Sequence, residues 1–146
     1  MVIFLVLENL VGSFMSLQDP VSNLLTIIRN GYLARKEFVF DRSSILKIRI
    51  ITLLVENNFL GKFEIINLDS NKTSLKIYLR YCGRKNYPII RRIDRISKPG
   101  LRIYKSYKKL PKSTFGIYLM STSFGVMTNR EAIKRRIGGE IICVVE

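Results

Sequence analysis

The sequence predicts an α+β fold made of two small subdomains, and two patterns carry that prediction. In the first half, apolar residues recur at the three- and four-residue spacing of amphipathic helices, and residues 73–80 alternate apolar with polar side chains as a half-buried strand does. In the second half, prolines and glycines divide the chain into short extended segments, with space for one short helix. With 146 residues, 47% of them hydrophobic, the chain can bury a core of this size.

The first predicted element is a helix that begins after Asp19. The Asp19 side chain can cap the helix, proline suits its first position, and apolar residues follow at i, i+3, i+4 and i+7. These apolar residues are Val21, Leu24, Leu25 and Ile28. We expect the helix to end near residues 30–31 or to continue to about residue 36. Residues 37–42 (EFVFDR) then form a short strand.

A second helix and a strand pair complete the first subdomain. Ser43 or Ser44 can cap a helix that continues to about Asn57, with apolar residues along one face. Residues 59–68 and 73–80 then form two strands joined by a turn. The predicted order is helix, strand, helix, strand, strand, in which two helices cover one face of a three-stranded sheet.

The second subdomain is predicted to be mostly β. We place the boundary near residues 83–90, where the composition changes, which divides the chain into units at 15–85 and 86–146. Strands are expected around residues 89–96 and 116–120. A turn, a short helix near 129–135 and a final strand over 140–145 complete this mostly β unit.

An apolar segment precedes both units. Residues 1–14 (MVIFLVLENLVGSF) are interrupted at positions 8–9 and 12–13, whereas a membrane-spanning helix needs about 20 apolar residues. No Lys or Arg occurs before Arg29, which argues against a secretory or organelle-targeting leader. We interpret the segment as an extension, or as residues upstream of a true start at Met15. A weak membrane anchor is the alternative.

The charge balance and the missing residue types argue against catalysis. The chain has 25 Lys and Arg against 11 Asp and Glu, a formal net charge of +14, and it contains no histidine. Its two cysteines, Cys82 and Cys143, are too few for a thiolate zinc site or a disulfide framework, and they are typical of a reducing compartment. Phosphate-loop and nucleophile-elbow motifs are missing. The sequence therefore predicts no enzyme, no cofactor and no metal, and places Cys143 in the core.

A strongly basic segment with interleaved tyrosines is the first candidate for function. Residues 84–112 carry eleven Lys and Arg against one acid, Asp94. Basic side chains neutralise phosphates and tyrosine rings stack on bases, whereas a solvated strand surface is the alternative. Because so many positively charged side chains repel one another unless a polyanion is present, we favour nucleic acid as the partner. Lys105 and Lys108 are candidate phosphate contacts.

A run of three hydroxyl side chains is the second candidate. Ser121, Thr122 and Ser123 follow an apolar strand, and one residue separates them from Gly125. Hydroxyl groups can bond base edges, 2′-hydroxyls and phosphates. They are equally common in a capped turn between a strand and a helix. The residues alone leave these two alternatives open.

A glycine pair followed by an acid is the third candidate. Gly138 and Gly139 allow either a close backbone approach to a ligand or the turn into the last strand. Glu140 could accept from a guanine edge or an amino group. It could equally be paired with Arg130 or Arg135. Here too both alternatives stay open.

Four sequence blocks resemble one known family. They are MSLQDPVSNLLTIIRNG at 15–31, SKPGLRIYK at 97–105, STSFGVMTNREA at 121–132 and IGGEIIC at 137–143. In order and spacing they are similar to the signature blocks of the bacterial-type ribosomal protein S8 family of the small subunit, and the resemblance covers residues 15–146. It implies a two-domain α+β protein that binds a helix junction in the central domain of small-subunit ribosomal RNA early in assembly and organises the platform.

The resemblance also implies which residues contact the RNA. Its main surface would lie in the C-terminal subdomain, and the starts of the two N-terminal helices would add contacts. The C-terminal residues are Arg102, Tyr104, Ser121, Thr122, Ser123, Gly125, Gly138, Gly139 and Glu140. The N-terminal residues are Asp19, Ser43, Ser44 and Lys47. The implied partners are small-subunit ribosomal RNA and neighbouring ribosomal proteins, with no small-molecule substrate and no membrane, and the protein would be a monomer away from the ribosome.

The chain departs from the family pattern at several positions. Phe124 stands where the family usually has lysine or another polar residue, which removes a phosphate contact or adds a stacking surface. Arg136 and the segment RIYKSYKKLP resemble plastid members, so we expect a plastid ribosome, with the bacterial cytoplasm as the alternative. Two other functions stay open: a free regulatory RNA binder that represses translation of its own messenger, and a basic membrane-surface protein anchored by residues 1–14.

Overall fold

The computed structural model describes residues 19–68, 71–112 and 115–146, and over these residues the protein has the predicted α+β fold. The N-terminal unit contains α1 (Pro20–Leu33), β1 (Phe38–Arg42), α2 (Ile45–Glu56), β2 (Leu60–Leu68) and β3 (Lys72–Leu79). The predicted order of helix, strand, helix, strand, strand is confirmed. The apolar segment 1–14 and the proposed start at Met15 lie outside the described residues.

Helix α1 follows the local signals in the sequence. The Asp19 carboxylate accepts hydrogen bonds from the Ser22 backbone N–H at 3.2 Å and from the Ser22 hydroxyl at 2.6 Å, and Pro20 occupies the first turn. The four predicted core residues of this helix are all buried. The helix ends at Leu33, between the two predicted end points, with Ala34 as its C-cap.

The three N-terminal strands form an antiparallel sheet in the order β1-β3-β2. One face packs against the two helices, and Val39, Leu75 and Ile77 are buried there. Because side chains alternate along a strand, Phe38 and Phe40 of β1 point to the opposite face. The predicted arrangement of two helices on one face of a three-stranded sheet is confirmed.

The C-terminal unit is mostly β, as predicted, with one short helix. Its elements are β4 (Tyr81–Cys82), β5 (Tyr87–Pro88), β6 (Ile93–Arg95), β7 (Tyr104–Lys105), a 3₁₀ turn (Tyr107–Lys109), β8 (Ile117–Thr122), β9 (Gly125–Thr128), α3 (Asn129–Arg135) and β10 (Gly139–Val145). The predicted strand around residues 89–96 is reduced to three residues. The backbone N–H groups of Arg91 and Arg92 both donate to the carbonyl of Glu146, and the regular pairing of β6 with β10 ends at Ile93. The strand β9 was not predicted.

Strand β10 lies inside the larger sheet. The strand order is β6-β10-β8-β9, and β7 pairs with β10 on the same edge as β6. The buried side chains of β10 include Cys143 and Val145, which belong to the same hydrophobic cluster as Leu24 and Ile28 of α1. A single apolar cluster thus contains residues from both sides of the predicted boundary at 83–90. A smaller cluster lies beneath α3 and includes Met120 and Ala132.

A buried ion pair joins β1 to α2. The Lys47 Nζ lies 2.8 Å from Asp41 Oδ2, and the two side chains are only 2% and 5% exposed. Removing a charged group from water costs free energy, and the attraction between the two buried charges offsets this cost. Either charge buried alone would lack that compensation. The pair therefore holds the start of α2 against the sheet.

Removal of one partner of this pair should destabilise the protein strongly. We expect Lys47→Met to lower the free energy of unfolding by about 3–5 kcal/mol, because the Asp41 carboxylate is left buried without its cation. The double variant Lys47→Met/Asp41→Leu should recover most of this loss. Urea denaturation measures all three proteins. Arg135→Met, which removes an exposed ion pair to Glu131, is the control and should cost less than about 1 kcal/mol. No recovery in the double variant would contradict this account.

The two cysteines should differ sharply in reactivity. Cys82 is exposed, whereas Cys143 is fully buried, and burial raises the pKa of its thiol to about 12. A thiol reagent such as dithionitrobenzoate should modify Cys82 in the native protein and Cys143 only after unfolding in urea. Reaction of both thiols in the native state would contradict the burial of β10.

The same thiol makes stability depend on alkaline pH. In the unfolded chain the Cys143 thiol has an ordinary pKa near 9.0, below its folded value. Its contribution to stability is therefore complete below about pH 9 and is lost as the pH rises towards 12. The urea midpoint of the unchanged chain should fall between pH 8 and pH 11. The urea midpoint of the Cys143→Ala variant should fall less over the same pH range.

Candidate nucleic-acid interface

Strand β10 brings three separate sequence blocks together at one end of the C-terminal sheet. Glu140 of β10 lies opposite Tyr104 of β7 on one side and opposite Ser121 of β8 on the other. Gly139 lies opposite Lys105. The blocks at 97–105, 121–132 and 137–143 are far apart in the sequence but adjacent here. We call the end of the sheet formed by residues 102–105, 121–125 and 138–140 the C-terminal surface.

The hydroxyl run forms a tight hairpin between β8 and β9. The Thr122 hydroxyl accepts from the Phe124 backbone N–H at 3.2 Å and donates to the Gly125 carbonyl at 2.9 Å. Gly125 has a φ of +108°, which a residue with a side chain adopts only with strain. Ser123 and Phe124 at the tip are exposed. Thr122 and Gly125 therefore shape the turn, and Ser123 presents its hydroxyl to solvent.

The glycine pair makes room for the protein's own backbone. A Cβ atom on Gly138 would lie 2.8 Å from the carbonyl oxygen of Lys105, and one on Gly139 would collide with the carbonyl oxygen of Ser121. Both glycines thus allow β7, β10 and β8 to approach one another. The close approach considered for a ligand is used inside the sheet.

Glu140 is held by an arginine from the neighbouring block. Arg102 Nη1 donates to Glu140 Oε1 at 2.9 Å, and the carboxylate is largely shielded while the guanidinium is about half exposed. Arg135, one of the partners considered from the sequence, instead bonds Glu131 at 2.7 Å. The ion pair neutralises Glu140, the one acid on the C-terminal surface, so its negative charge does not weaken the positive potential of that surface.

Two buried polar side chains, neither of them singled out from the sequence, position this surface. Ser97 is fully buried, and its hydroxyl accepts from the Ile103 N–H at 2.9 Å, which shapes the loop carrying Arg102. Asn129, also fully buried, accepts from the Tyr118 N–H at 3.1 Å and donates to the Pro111 carbonyl at 2.7 Å. Such contacts are invisible in the sequence because each partner is non-local.

Positive charge is concentrated in the C-terminal half. Residues 84–146 hold 15 Lys and Arg against four Asp and Glu. Within the described ranges, six lysines of the basic segment are exposed and form no ion pair; they are Lys85, Lys98, Lys105, Lys108, Lys109 and Lys112. Tyr104 is 68% exposed. This surface presents cations and a ring to solvent in the combination that suits a polyanion.

Asp19 has a structural role within the fold. Besides capping α1, its carboxylate lies 3.4 Å from Arg95 of β6. Burial favours the neutral form of Asp19, but hydrogen bonds from Ser22 and the charge of Arg95 outweigh this effect and hold its pKa below the ordinary value. A carboxylate kept ionised and paired in this way ties α1 to the C-terminal sheet.

The residues predicted at the start of α2 are also used within the fold. The Ser44 hydroxyl caps the helix by accepting from the Lys47 N–H at 3.2 Å, and the half-buried Ser43 donates its backbone N–H to the Thr73 carbonyl. Lys47 is buried against Asp41 and has no exposed ammonium group to offer a phosphate. Because the chain folds α2 onto β1, these residues do not join the C-terminal surface.

Neither a metal centre nor a membrane-crossing helix is found in the described part of the chain. Residues 19–68, 71–112 and 115–146 contain no group of three or more His, Cys, Asp or Glu side chains arranged to hold a metal ion. No helix within these ranges is long and apolar enough to cross a membrane.

Comparison with known proteins identifies the family. A family model described as ribosomal protein S8 matches residues 19–145. Small ribosomal subunit protein uS8 of Blochmanniella pennsylvanica (strain BPEN) is 47% identical over 133 residues, covering 90% of this chain and 99% of that protein. The uS8 proteins of Wigglesworthia glossinidia brevipalpis and Chromobacterium violaceum are 48% and 44% identical over 134 and 133 residues, again covering 90% of this chain and 100% and 99% of theirs.

These relatives bear on two of the expectations from the sequence. They are bacterial, so they do not favour a plastid ribosome over a ribosome in a bacterial cytoplasm. The matched family consists of structural, non-enzymatic proteins, in agreement with the missing catalytic residues. With a family model matched from Asp19 to the last strand and relatives of nearly full length, this chain belongs to the ribosomal protein S8 family.

Proposed function

We propose that this chain is a structural component of the small ribosomal subunit that binds the central domain of small-subunit ribosomal RNA and helps to organise the platform, beside neighbouring ribosomal proteins. The observation that carries the proposal is the register of β10, which places Tyr104, Glu140 and Ser121 side by side. The uS8 names of the relatives support the ribosomal assignment. The excess of positive charge around this register supports RNA as the partner.

The residues of the C-terminal surface divide into two groups. Ser121 and Ser123 carry hydroxyls that make no hydrogen bond to the rest of the described chain, and they are suited to base edges or 2′-hydroxyls. Tyr104 offers an exposed ring and Arg102 a guanidinium held in place by Glu140. Thr122, Gly125, Gly138 and Gly139 contribute shape rather than contacts.

Lysines at the margin of this surface supply the sequence-independent part of binding. Lys105 and Lys108 are exposed and unpaired within the described residues, and each can neutralise a phosphate. The minor groove of an RNA helix is wide and shallow and displays 2′-hydroxyls, so the end of a sheet with projecting hydroxyls fits it better than it fits the deep major groove. Shape and hydroxyl contacts then give specificity, and the lysines add affinity.

A binding titration tests the proposal. The chain starting at Met15 is titrated with a central-domain fragment of small-subunit ribosomal RNA and with a scrambled hairpin, at about 50 and 200 mM salt. We expect tight binding to the native fragment that persists at the higher salt, whereas binding to the scrambled hairpin is lost. Equal affinities for the two RNAs, both abolished by salt, would overturn the assignment of a specific site.

Ser123→Ala should weaken binding to the central-domain fragment by about 1–3 kcal/mol without affecting the fold, the size expected for a lost base-edge contact. The hydroxyl is exposed at the hairpin tip and makes no hydrogen bond within the described residues. Thr26→Ala, which removes an exposed hydroxyl from α1, is the matched control and should leave affinity unchanged. An equal effect of both substitutions would contradict the role of Ser123.

Lys108→Ala should weaken binding to the native and scrambled RNAs alike. If Lys108 neutralises one phosphate, the slope of log K against log salt should become less steep by about 0.7–0.9. Lys36→Ala, an exposed lysine in the N-terminal unit, is the control and should leave the slope unchanged. A slope unaffected by Lys108→Ala would place the phosphate contacts elsewhere.

A further inference from the structure

The open face of the N-terminal sheet carries a compact cluster of aromatic rings. Phe38 and Phe40 project from β1, and Tyr78 of β3 lies directly opposite Phe38. The centroids of Phe38 and Phe40 are 5.4 Å apart, and those of Phe38 and Tyr78 are 5.9 Å apart. We call these three rings, together with Lys62 and Lys76, the N-terminal face.

The two lysines lie directly over the rings. The Lys76 Nζ is 4.2 Å from the centroid of Phe38 and 5.1 Å from that of Tyr78, and the Lys62 Nζ is 4.6 Å from the centroid of Tyr78. In these cation–π contacts the rings receive a positively charged group. Because a lysine stem is flexible, each ammonium can move to a phosphate and uncover the ring beneath it.

The fold does not account for this cluster. The two helices cover the other side of the sheet, and Phe40 is 51% exposed although it is a large apolar side chain in the middle of a strand. Phe38 and Tyr78 are half-buried beside it, so the three rings leave a partly exposed aromatic patch, a feature typical of an interaction site.

The composition of the face favours nucleic acid over protein as its occupant. Aromatic residues are common at both kinds of interface, but lysine is depleted in protein–protein interfaces. Here Lys76 lies on the central strand, Lys62 lies on β2 and Arg42 extends the face along β1. Glu64 lies opposite Lys76 and pairs with Lys62 at 3.4 Å, so cations outnumber the acid on this face. Aromatic rings interleaved with cations are the arrangement that binds single-stranded nucleic acid by stacking and phosphate contacts.

We propose that the N-terminal face is a second RNA-binding site, which stacks unpaired bases of a single-stranded segment on Phe40, Phe38 and Tyr78 while Lys62 and Lys76 contact the flanking phosphates. This site is separate from the C-terminal surface. It recognises unstacked bases instead of the shape of a helix junction. The two surfaces can therefore hold two different parts of one RNA.

The test uses the full chain and a fluorescent oligouridine of about ten nucleotides, a length within the usual range for single-strand sites. An abasic oligomer of the same length measures the contribution of phosphate charge alone. Anisotropy titrations at about 200 mM salt suppress non-specific binding. We expect oligouridine to bind at least about five-fold more tightly than the abasic oligomer, since each stacked base adds affinity.

Phe40→Ala should remove most of this difference and weaken oligouridine binding at least about five-fold. The matched control is Phe115→Ala, which removes a ring that is 91% exposed in the C-terminal unit and should have no effect. Circular dichroism and protection of the Cys143 thiol verify that each variant is folded. A second readout is photocrosslinking of 4-thiouridine, which should label peptides containing Phe38, Phe40 or Tyr78.

The outcome is independent of the proposed function. Ser123→Ala should leave oligouridine affinity unchanged, and Phe40→Ala should leave affinity for an isolated central-domain helix junction unchanged. Equal affinity for oligouridine and the abasic oligomer, or equal affinity of the Phe40→Ala and Phe115→Ala variants for oligouridine, would overturn the proposal. A protein partner would then be the better interpretation of this face.

Discussion

The pairing of β10 on both of its edges is the constraint on which the C-terminal half depends. On one edge it pairs with β8, and on the other it pairs with β6 and then β7. Between these two short strands the ladder is continued by loop residues, since the Ser97 N–H donates to the Ile141 carbonyl and the Ile141 N–H to the Ile103 carbonyl. A shift of one residue would turn Cys143 away from the cluster that it shares with Leu24 of α1 and separate Glu140 from Tyr104 and Ser121.

Elements with strong local signals could be predicted from the sequence, and elements that depend on distant partners could not. Helix α1 has its capping aspartate and proline, and α3 has Thr128 accepting from the Glu131 N–H as a cap. Strand β9 was missed because Gly125 and the hydroxyl run before it are ordinary turn residues. Only the pairing with β8 shows that a two-residue loop is enough to reverse the chain.

The residues of the candidate site were easier to identify than their roles. Blocks containing Arg102, Ser123 and Glu140 are visible in the sequence, and the fold brings them together. The glycine pair and Thr122 are also in these blocks, but their structural roles depend on contacts that the sequence pattern does not reveal. Lys47 shows the same limit, because an exposed and a buried lysine are identical in a sequence. The sequence predicts Phe38 and Phe40 only as strand residues, since the alternation that makes a strand does not say whether its outer face is covered.

The position of β10 in the chain also affects how the protein is made. Residues 97–125 are translated before the strand that aligns them, so a nascent polypeptide carries the basic segment for some time without the strand that organises it. Domains whose contacts join distant residues fold late and slowly. Until β10 leaves the exit tunnel, the residues at 102–105 and 121–125 lack the strand that sets them side by side. The C-terminal surface is thus completed only when β10 takes its place between β8 and the strands β6 and β7.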